Sequence, residues 1–411
     1  MTFVVWQLIL SFENNVGVLE ERTDAPIATP SPEPNPEVEP EINEDELDYA
    51  TYITIQGEQY STSLTTLHLS DMNLHNGDIV QLVHMTNLED LSLSYNQISD
   101  LTPLANLTSL VYLDLWSNQI EDISPLANLT NLKWLSITYN RVEDIAPLEN
   151  LTNLELLGLG SNRISDIGAL SNLTNIEWLA IGGNQLENIA PLANLTNVYF
   201  LQLWGNRIND VSVIENLEWL EHIDLTHNRV SDISAFADLT NLTELGMRDN
   251  RVSDLTPLVN LTRLEFIDLS ENEISDLAPI SNLWRLEHLS LWGNEISDLR
   301  PLSELNNLIE LDMCSNEISD ISPLSNLTSL VILCLFNNQI SNLSPLVNLT
   351  NLEDLDLCDN LVIDISALTN LTNIVALCLV NNQVTDWAPV AHIEEVEGRP
   401  LNWRIDDGGE A

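Results

Sequence analysis

One asparagine recurs at residues 96, 118, 140, 162, 184, 206, 228, 250, 272, 294, 316, 338, 360 and 382, at a constant spacing of 22 with no insertion or deletion. A fixed period of this kind means one supersecondary unit stacked on itself, each copy burying its apolar side only against its neighbours. Counting from that asparagine, aliphatic residues hold positions −8, −5, −3 and +2, with Met247 and Met313 as softer stand-ins. Positions +5, +8 and +11 are apolar as well, Phe236 and Trp387 being the aromatic exceptions. The pair at −5 and −3 has the period of two expected of a short strand with one buried face. The asparagine falls where the chain leaves that strand inside an apolar interior. There its amide is placed to satisfy backbone groups of adjoining turns, which predicts a ladder of side-chain amides. An earlier, degenerate copy, "LTTLHLSDMNL", has Met72 in the asparagine slot and runs two residues longer.

Position +4 is Asp in twelve copies and Asn in the other two, Asn188 and Asn342, and +7 is Pro in ten. "DISPL" reads as an acid capping a short helical turn whose third residue is Pro, where the missing N–H costs little. A convex row of calcium-binding carboxylates is the other reading. It is disfavoured, because the acids come one per turn and no Asp-rich loop concentrates them.

The pattern LxxLxLxxNxIxDxxPL resembles the leucine-rich repeat over roughly residues 64–393. The 22-residue length and wording such as "NQISDLTPLANLTSL" look like the bacterial internalin family, and are similar also to the short-repeat regulatory subunits of eukaryotic phosphatases. The resemblance implies an α/β solenoid: a horseshoe or right-handed superhelix with a parallel β-sheet on its concave side and short 3-10 or extended turns on its convex side. At about 4.8 Å per strand, some fifteen strands give a concave sheet on the order of 70 Å long. That suits a large partner and suits a small-molecule pocket poorly.

An array needs caps, and the segments outside the repeat divide accordingly. Residues 1–23 form a signal-like apolar N-terminus, "MTFVVWQLILSFENN…", which lacks the basic residues that precede a secretory core. It reads either as the tail of a signal that starts upstream or as a chance apolar terminus. Residues 24–48 are rich in Pro and Glu and read as a disordered, self-repelling linker. Residues 49–87 are the N-terminal cap and degenerate first repeat, 88–393 the fourteen regular repeats, and 394–411 a C-terminal cap and acidic tail. The internalin cap sequence is not matched at 49–87, and residues 394–411 do not resemble the immunoglobulin-like domain that commonly follows internalin repeats.

The chain carries 63 acidic and 13 basic residues, a formal charge of −50. Such a chain repels nucleic acid and anionic membrane surfaces, so neither is expected as a partner. No segment has the length of a membrane span without polar interruption.

Positions −6, −4, −2 and −1 face the expected concave surface, with +1 at its rim. Their content varies while the scaffold positions do not. Tyr95, Tyr112, Trp116, Trp134, Tyr139, Trp178, Phe200 and Trp204 gather in the first half, and Phe266, Trp292 and Phe336 continue more sparsely. Arg141, Arg163, Arg207, Arg229 and Arg251 all occupy +1, with Arg248 beside them at −2 and His227 at −1. Later copies turn acidic, with Glu271, Glu273, Glu295, Glu310, Asp312, Glu317, Asp354, Asp356 and Asp359. Exposed rings and Arg are typical of binding hot spots, and the split in charge would orient a partner. The rival reading is a solvated cross-strand ladder of rings covered by Arg planes.

Cys314, Cys334, Cys358 and Cys378 fall at −2, −4, −2 and −4 of the last four copies. In a regular sheet the diagonal neighbours lie roughly 8 Å apart at Cα, beyond disulfide reach, so free thiols are expected ahead of strained disulfides or a soft-metal site. His222, His227 and His288 share the face with Asp224, but no nucleophile joins them, so no catalysis is expected. Nine Asn-Leu-Thr sequons at +10, Asn106 to Asn370, follow from the repeat itself. Together these features lead us to expect a monomeric, non-catalytic module without metal or cofactor. It would bind a protein partner on its concave face outside the cell, the alternative being a cytoplasmic regulatory subunit that clasps an enzyme.

Overall fold

The computed structural model describes residues 51–399. Three-residue strands at −6 to −4 recur once per turn, from Thr66–His68 through Ala376–Cys378, and stack in chain order as one parallel sheet. The register never slips: Phe200 lies opposite His222, Leu201 opposite Ile223 and Gln202 opposite Asp224, one full period apart. Sixteen strands make up this sheet, one more than expected. The extra strand, Glu395–Glu397, sets Glu395 opposite Ala376, three residues short of the period. The acids expected there as a solvated tail therefore extend the sheet.

Each regular turn but the last, where Val384 is half-buried, buries seven apolar side chains. In the turn around Asn206 these are Val198, Leu201, Leu203, Ile208, Val211, Ile214 and Leu217, all at or below 2% exposure. Every strand leaves only its middle residue in this core, so one cluster runs the length of the array. The predicted amide ladder is present. Asn206 donates from Nδ2 to the carbonyls of Leu203 (2.9 Å) and Ile181 (3.2 Å), and its Oδ1 accepts the N–H of Leu186 at 3.0 Å. One side chain thus ties two turns and replaces backbone partners that a loop inside a core would lack.

The residue just before this asparagine has positive φ in all fourteen regular copies, eleven of them non-glycine, such as Tyr95 (φ 54°), Tyr139 (55°) and His227 (56°). A left-handed residue costs an L-amino acid on the order of 1 kcal/mol or more. The stack compensates: the N–H of Tyr95 donates to Trp116 O (2.8 Å) and that of Ser117 to Thr138 O (2.9 Å), so the kinked residue still carries the inter-turn hydrogen bonding.

On the convex side each connection contains a short 3-10 turn, such as Thr102–Leu104 and Ser124–Leu126. The +4 aspartate acts one residue earlier than a helix cap, with Ile123 between it and the turn. Asp122 Oδ1 accepts the N–H of Ser124 at 2.8 Å, closing an Asx turn, and Pro stands second in the 3-10 segment. These hydrogen bonds hold the carboxyls of Asp210, Asp232, Asp320 and Asp364 below the ordinary aspartate range.

At the N-terminal end an antiparallel hairpin, Tyr52–Ile55 with Glu58–Ser61, places Ile53 and Ile55 in the same buried cluster as Leu67 and Leu69. The segment Val80–His84 is a 3-10 turn. The signal-like segment, the Pro/Glu-rich linker and residues 400–411 lie outside the described residues. Among the described residues no helix is long and apolar enough to cross a membrane.

Candidate partner-binding face

Many of the aromatic residues of the concave sheet are stacked on one another. At −6, Tyr112 lies on Trp134 with ring centroids 3.9 Å apart and planes 8° from parallel. Leu156 interrupts the column, which then resumes as Trp178, Phe200 and His222, with centroid separations of 5.1 and 4.3 Å. This arrangement follows from register: in a parallel sheet of constant period, identical positions on successive strands lie side by side. Where the strands end, Trp116 stacks on Tyr139 at 6.1 Å and Tyr95 tilts against Trp116 at 5.5 Å. Phe266 tilts against His288 at 6.2 Å. Phe336 makes no ring contact among the described residues.

Two of these columns end in a histidine and a glutamate. His222 Nδ1 is 2.8 Å from Glu244 Oε2, and His288 Nδ1 is 3.2 Å from Glu310 Oε2. The Glu310 contact raises the His288 pKa, and the bond to His222 holds Glu244 below the usual range. His222 is only 8% exposed, and its Nε2 is buried without a hydrogen-bond partner. Burial, with Asp114 and Asp90 nearby, pushes the Tyr112 hydroxyl up.

Trp204 is held differently. Its indole lies over Gly182 and Gly183 of the preceding turn, where a Cβ on either glycine would overlap the ring. With Gly158, Gly160 and Ala180, these residues form a smooth strip of concave floor beside the Trp178–Phe200 column. Arg248 reaches across Ser270 to sit 5.0 Å over the Trp292 ring, with its Nε 3.0 Å from Glu271 Oε2. That cation–π contact and the ion pair fix a long side chain in one place.

The rim arginines do not cover the rings. Arg141 and Arg163 turn back to Glu121 (3.8 Å) and Glu143 (3.7 Å), in half-exposed pairs of little energetic weight. Arg207, Arg229 and Arg251 are exposed and belong to no ion pair among the described residues. His227, at −1, instead bonds Asp249 at 2.8 Å.

Further along, the concave floor carries Asp224, Asp268, Asp312 and Asp356 at −4 on alternate strands. Each Oδ1 accepts a backbone N–H two residues on, as from Thr226 to Asp224 at 2.9 Å. Burial nonetheless dominates and raises the pKa of all four. Asp354 is raised too, by burial and then Glu310.

The expectation of free thiols is overturned. Cys314 is bonded to Cys334 and Cys358 to Cys378, with Cα–Cα separations of 5.6 and 5.3 Å. The flat-sheet estimate failed because the strand proper ends at −4. The chain is already bending at −2 toward the left-handed residue at −1, Ser315 or Asp359, which swings the −2 Cα toward the next strand. Asp312 and Asp356 each lie beside a disulfide, within 4.8 Å of both sulfurs. Sulfurs bonded to each other are not thiolates, so these trios are not metal-ligand sets in this state.

The flank leading into the sheet was not among the expected sites. Position −7 holds Glu89, Glu155, Glu177, Glu221, Glu265, Glu287 and Glu353, opposite in charge to the arginine rim on the other edge. At −9 a second asparagine ladder runs along this flank: Asn153, Asn175 and Asn197 donate to the Thr130, Thr152 and Thr174 carbonyls at 2.8–2.9 Å. Other copies also leave these columns, as at Val111, Lys133, Arg263 and Arg285, but Tyr199 and Trp219 are the aromatic departures, and that was a legible signal.

The comparisons agree with this architecture. A family model described as leucine-rich repeats (two copies) matches residues 86–128, 130–173, 218–260, 240–282, 262–304, 284–326 and 306–348, more than half of the chain. Among solved structures, the chain is similar to an internalin (inlF) of Listeria monocytogenes. The two are 34% identical, with a TM-score of 0.70, over 73% of this chain and 89% of that one. It is similar in fold to a leucine-rich repeat protein of Leptospira interrogans, at 23% identity and TM-score 0.73 over 82% of this chain and 90% of that one. It is similar in fold also to the functional domain of InlJ from Listeria monocytogenes, described as including a cysteine ladder. That match has 19% identity and TM-score 0.61 over 82% and 73% of the two chains. No curated protein matches the chain.

Proposed function

The chain is an internalin-like member of the leucine-rich repeat family, and from that premise we propose that it is a non-catalytic recognition protein of the cell exterior that binds a partner protein on its concave face. Proteins of this fold are protein-interaction modules. The observation that carries the reading to this face is the run of half-buried rings, Tyr112, Trp134, Trp178, Phe200 and Trp204, fixed by stacking or by a glycine bed. Rings already immobilised lose little entropy on binding, so the stack that steadies the face also pre-organises it. Two disulfides support an oxidising compartment and weigh against a cytoplasmic regulatory subunit.

The test compares the full chain with a variant carrying Trp116→Ser, Trp134→Ser, Trp178→Ser and Trp204→Ser, both checked for an intact thermal transition. Each is immobilised and challenged with cell-surface and cytosolic extracts. Protein retained from the surface extract by the parent and lost by the variant supports the reading. Equal retention by both, or retention from the cytosolic extract alone, overturns it.

A further inference from the structure

The flank of the array carries a feature that the concave face does not explain. Trp219 stands at −9, where most copies have the asparagine of the second ladder, and it is 65% exposed. Tyr199 stands at −7, where its neighbours on both sides are glutamates, and it is 40% exposed. Successive turns bring these together: Tyr199 N–H donates to the Glu177 carbonyl at 2.9 Å, and Glu221 N–H donates to the Tyr199 carbonyl at 2.8 Å. Glu177, Asn197, Tyr199, Trp219 and Glu221 line one open cleft of about 440 Å³.

The chemistry of that lining is specific. Two aromatic rings and two carboxylates line one open depression, and neither Glu177 nor Glu221 belongs to an ion pair among the described residues. The Tyr199 hydroxyl is pushed up by burial and then by Glu177 and Glu221, so the tyrosine stays neutral in the field of both acids. Rings attract cations through their quadrupole, carboxylates through charge, and an anion is repelled by both. The tryptophan also comes at a structural cost. Asn241, one turn on, donates to the Glu218 carbonyl at 2.9 Å, whereas Trp219 has no amide to give its own preceding turn. Ser109, Arg263, Arg285 and Ser329 forgo the same bond, but at 65% exposure core packing does not account for an indole at Trp219.

We propose that the Tyr199–Trp219 cleft binds the ammonium group of an organic cation, held between the two rings and neutralised by Glu177 and Glu221. The site lies on the opposite edge of the sheet from the arginine rim and is independent of concave-face binding. The ammonium belongs either to a quaternary headgroup or to a lysine side chain of another protein, and two probes separate these.

The full chain, labelled with 15N at its tryptophan indoles, is titrated at constant ionic strength with choline chloride and, in parallel, with Nα-acetyl-lysine methylamide. Sodium chloride serves as the control. The Trp219 indole signal, identified by its loss in Trp219→Asn, shifts saturably with at least one organic cation and not with sodium. Tighter choline binding assigns a quaternary headgroup, and tighter lysine binding assigns a protein side chain. Trp219→Asn restores the ladder residue and is expected to melt no lower than the parent, while losing about tenfold or more in affinity by ligand-observed saturation transfer. Glu177→Gln with Glu221→Gln weakens binding by a similar factor. If neither probe shifts Trp219, or if Trp219→Asn binds as tightly as the parent, the proposal fails.

Discussion

The indole of Trp204 lies on the Cα of Gly182, close enough that a methyl group there would occupy the ring's place. The two belong to adjacent turns at the same repeat position, −2, so a bulky side chain is seated by the absence of one next door. Gly182→Ala is therefore expected to eject Trp204 while leaving the backbone intact, since positive φ occurs at Gly183 and not at Gly182. The cost is about 1–3 kcal/mol, the range for overpacking. In a Trp204→Ala background the same change becomes neutral or slightly stabilising, because the obstacle is gone and glycine's extra unfolded-state entropy is removed. A double-mutant cycle by chemical denaturation, with tryptophan emission reporting solvent exposure of the indole, measures this. A Gly182→Ala cost that is the same in both backgrounds would contradict the contact.

The two disulfides predict a local loss on reduction. Each joins residues 20 apart near the C-terminal end of the array, a loop size for which chain entropy gives about 3 kcal/mol. Stability in a stacked array is nearest-neighbour, so the loss concentrates in the last repeats. Hydrogen exchange with and without reductant should show faster exchange in residues 311–399 and little change in residues 88–200. Alkylation under native, non-reducing conditions should modify no cysteine, and after reduction all four. Uptake of label before reduction would show the thiols free.

Much of this fold was legible because its rule is one-dimensional. The period, the seven core positions, the asparagine ladder and the outward set at −6, −4 and −2 all follow from buried apolar positions repeating at fixed spacing. The stacking of Trp178 on Phe200 follows too, once register is constant. What escaped was local and three-dimensional. The left-handed residue at −1 is coded by Gly, Asn, Asp and Ser in most copies, but Tyr95 and Tyr139 disguise it. Treating the sheet as flat past −4 then put the cysteine pairs out of reach. The Tyr199–Trp219 cleft was missed because positions −7 and −9 read as the outside of a scaffold, although both residues depart from their columns.

Asn206 offers a direct measure of what the ladder contributes. Asn206→Leu is close in size but leaves the Leu186 N–H without a partner inside the core, while the Ile181 carbonyl keeps its bond from Asn184 and the Leu203 carbonyl its bond from Asn228. At about 1–3 kcal/mol for a buried group left unsatisfied, a loss of about 2–3 kcal/mol is expected. Asn197→Ala, on the exposed flank ladder, removes a single bond to the Thr174 carbonyl, and water can replace it. That loss should stay near 1 kcal/mol. Equal losses at the two sites in urea denaturation would mean that burial does not set the cost.

The aspartate row makes the protein more stable toward mild acid, and the sign follows from burial. Asp224, Asp268 and Asp312 have folded values raised above the ordinary aspartate value of 3.8, with burial the largest cause. Between the unfolded and folded values the folded chain holds more protons. The stability contributed by these groups is thus fully present below 3.8 and lost as pH rises through the folded values. His288 acts in the same sense, since Glu310 raises it above 6.5. The Asx-turn aspartates act oppositely. Asp298, held down at about 2 chiefly by Arg300, contributes stability above 3.8 that is lost only as pH falls toward 2. Melting temperature should therefore rise as pH falls through these folded values toward 3.8, and fall below 3.8 as the Asx-turn aspartates are protonated. Replacing Asp224, Asp268 and Asp312 by Asn keeps an Oδ1 to accept the Thr226, Ser270 and Cys314 N–H groups and removes the buried charge. That variant should melt higher than the parent at pH 7 and show a shallower rise as pH falls toward 3.8. A parent whose melting temperature falls as pH falls toward 3.8, or a variant that keeps the parent's slope, would place the burden of acid response elsewhere than on these three carboxyls.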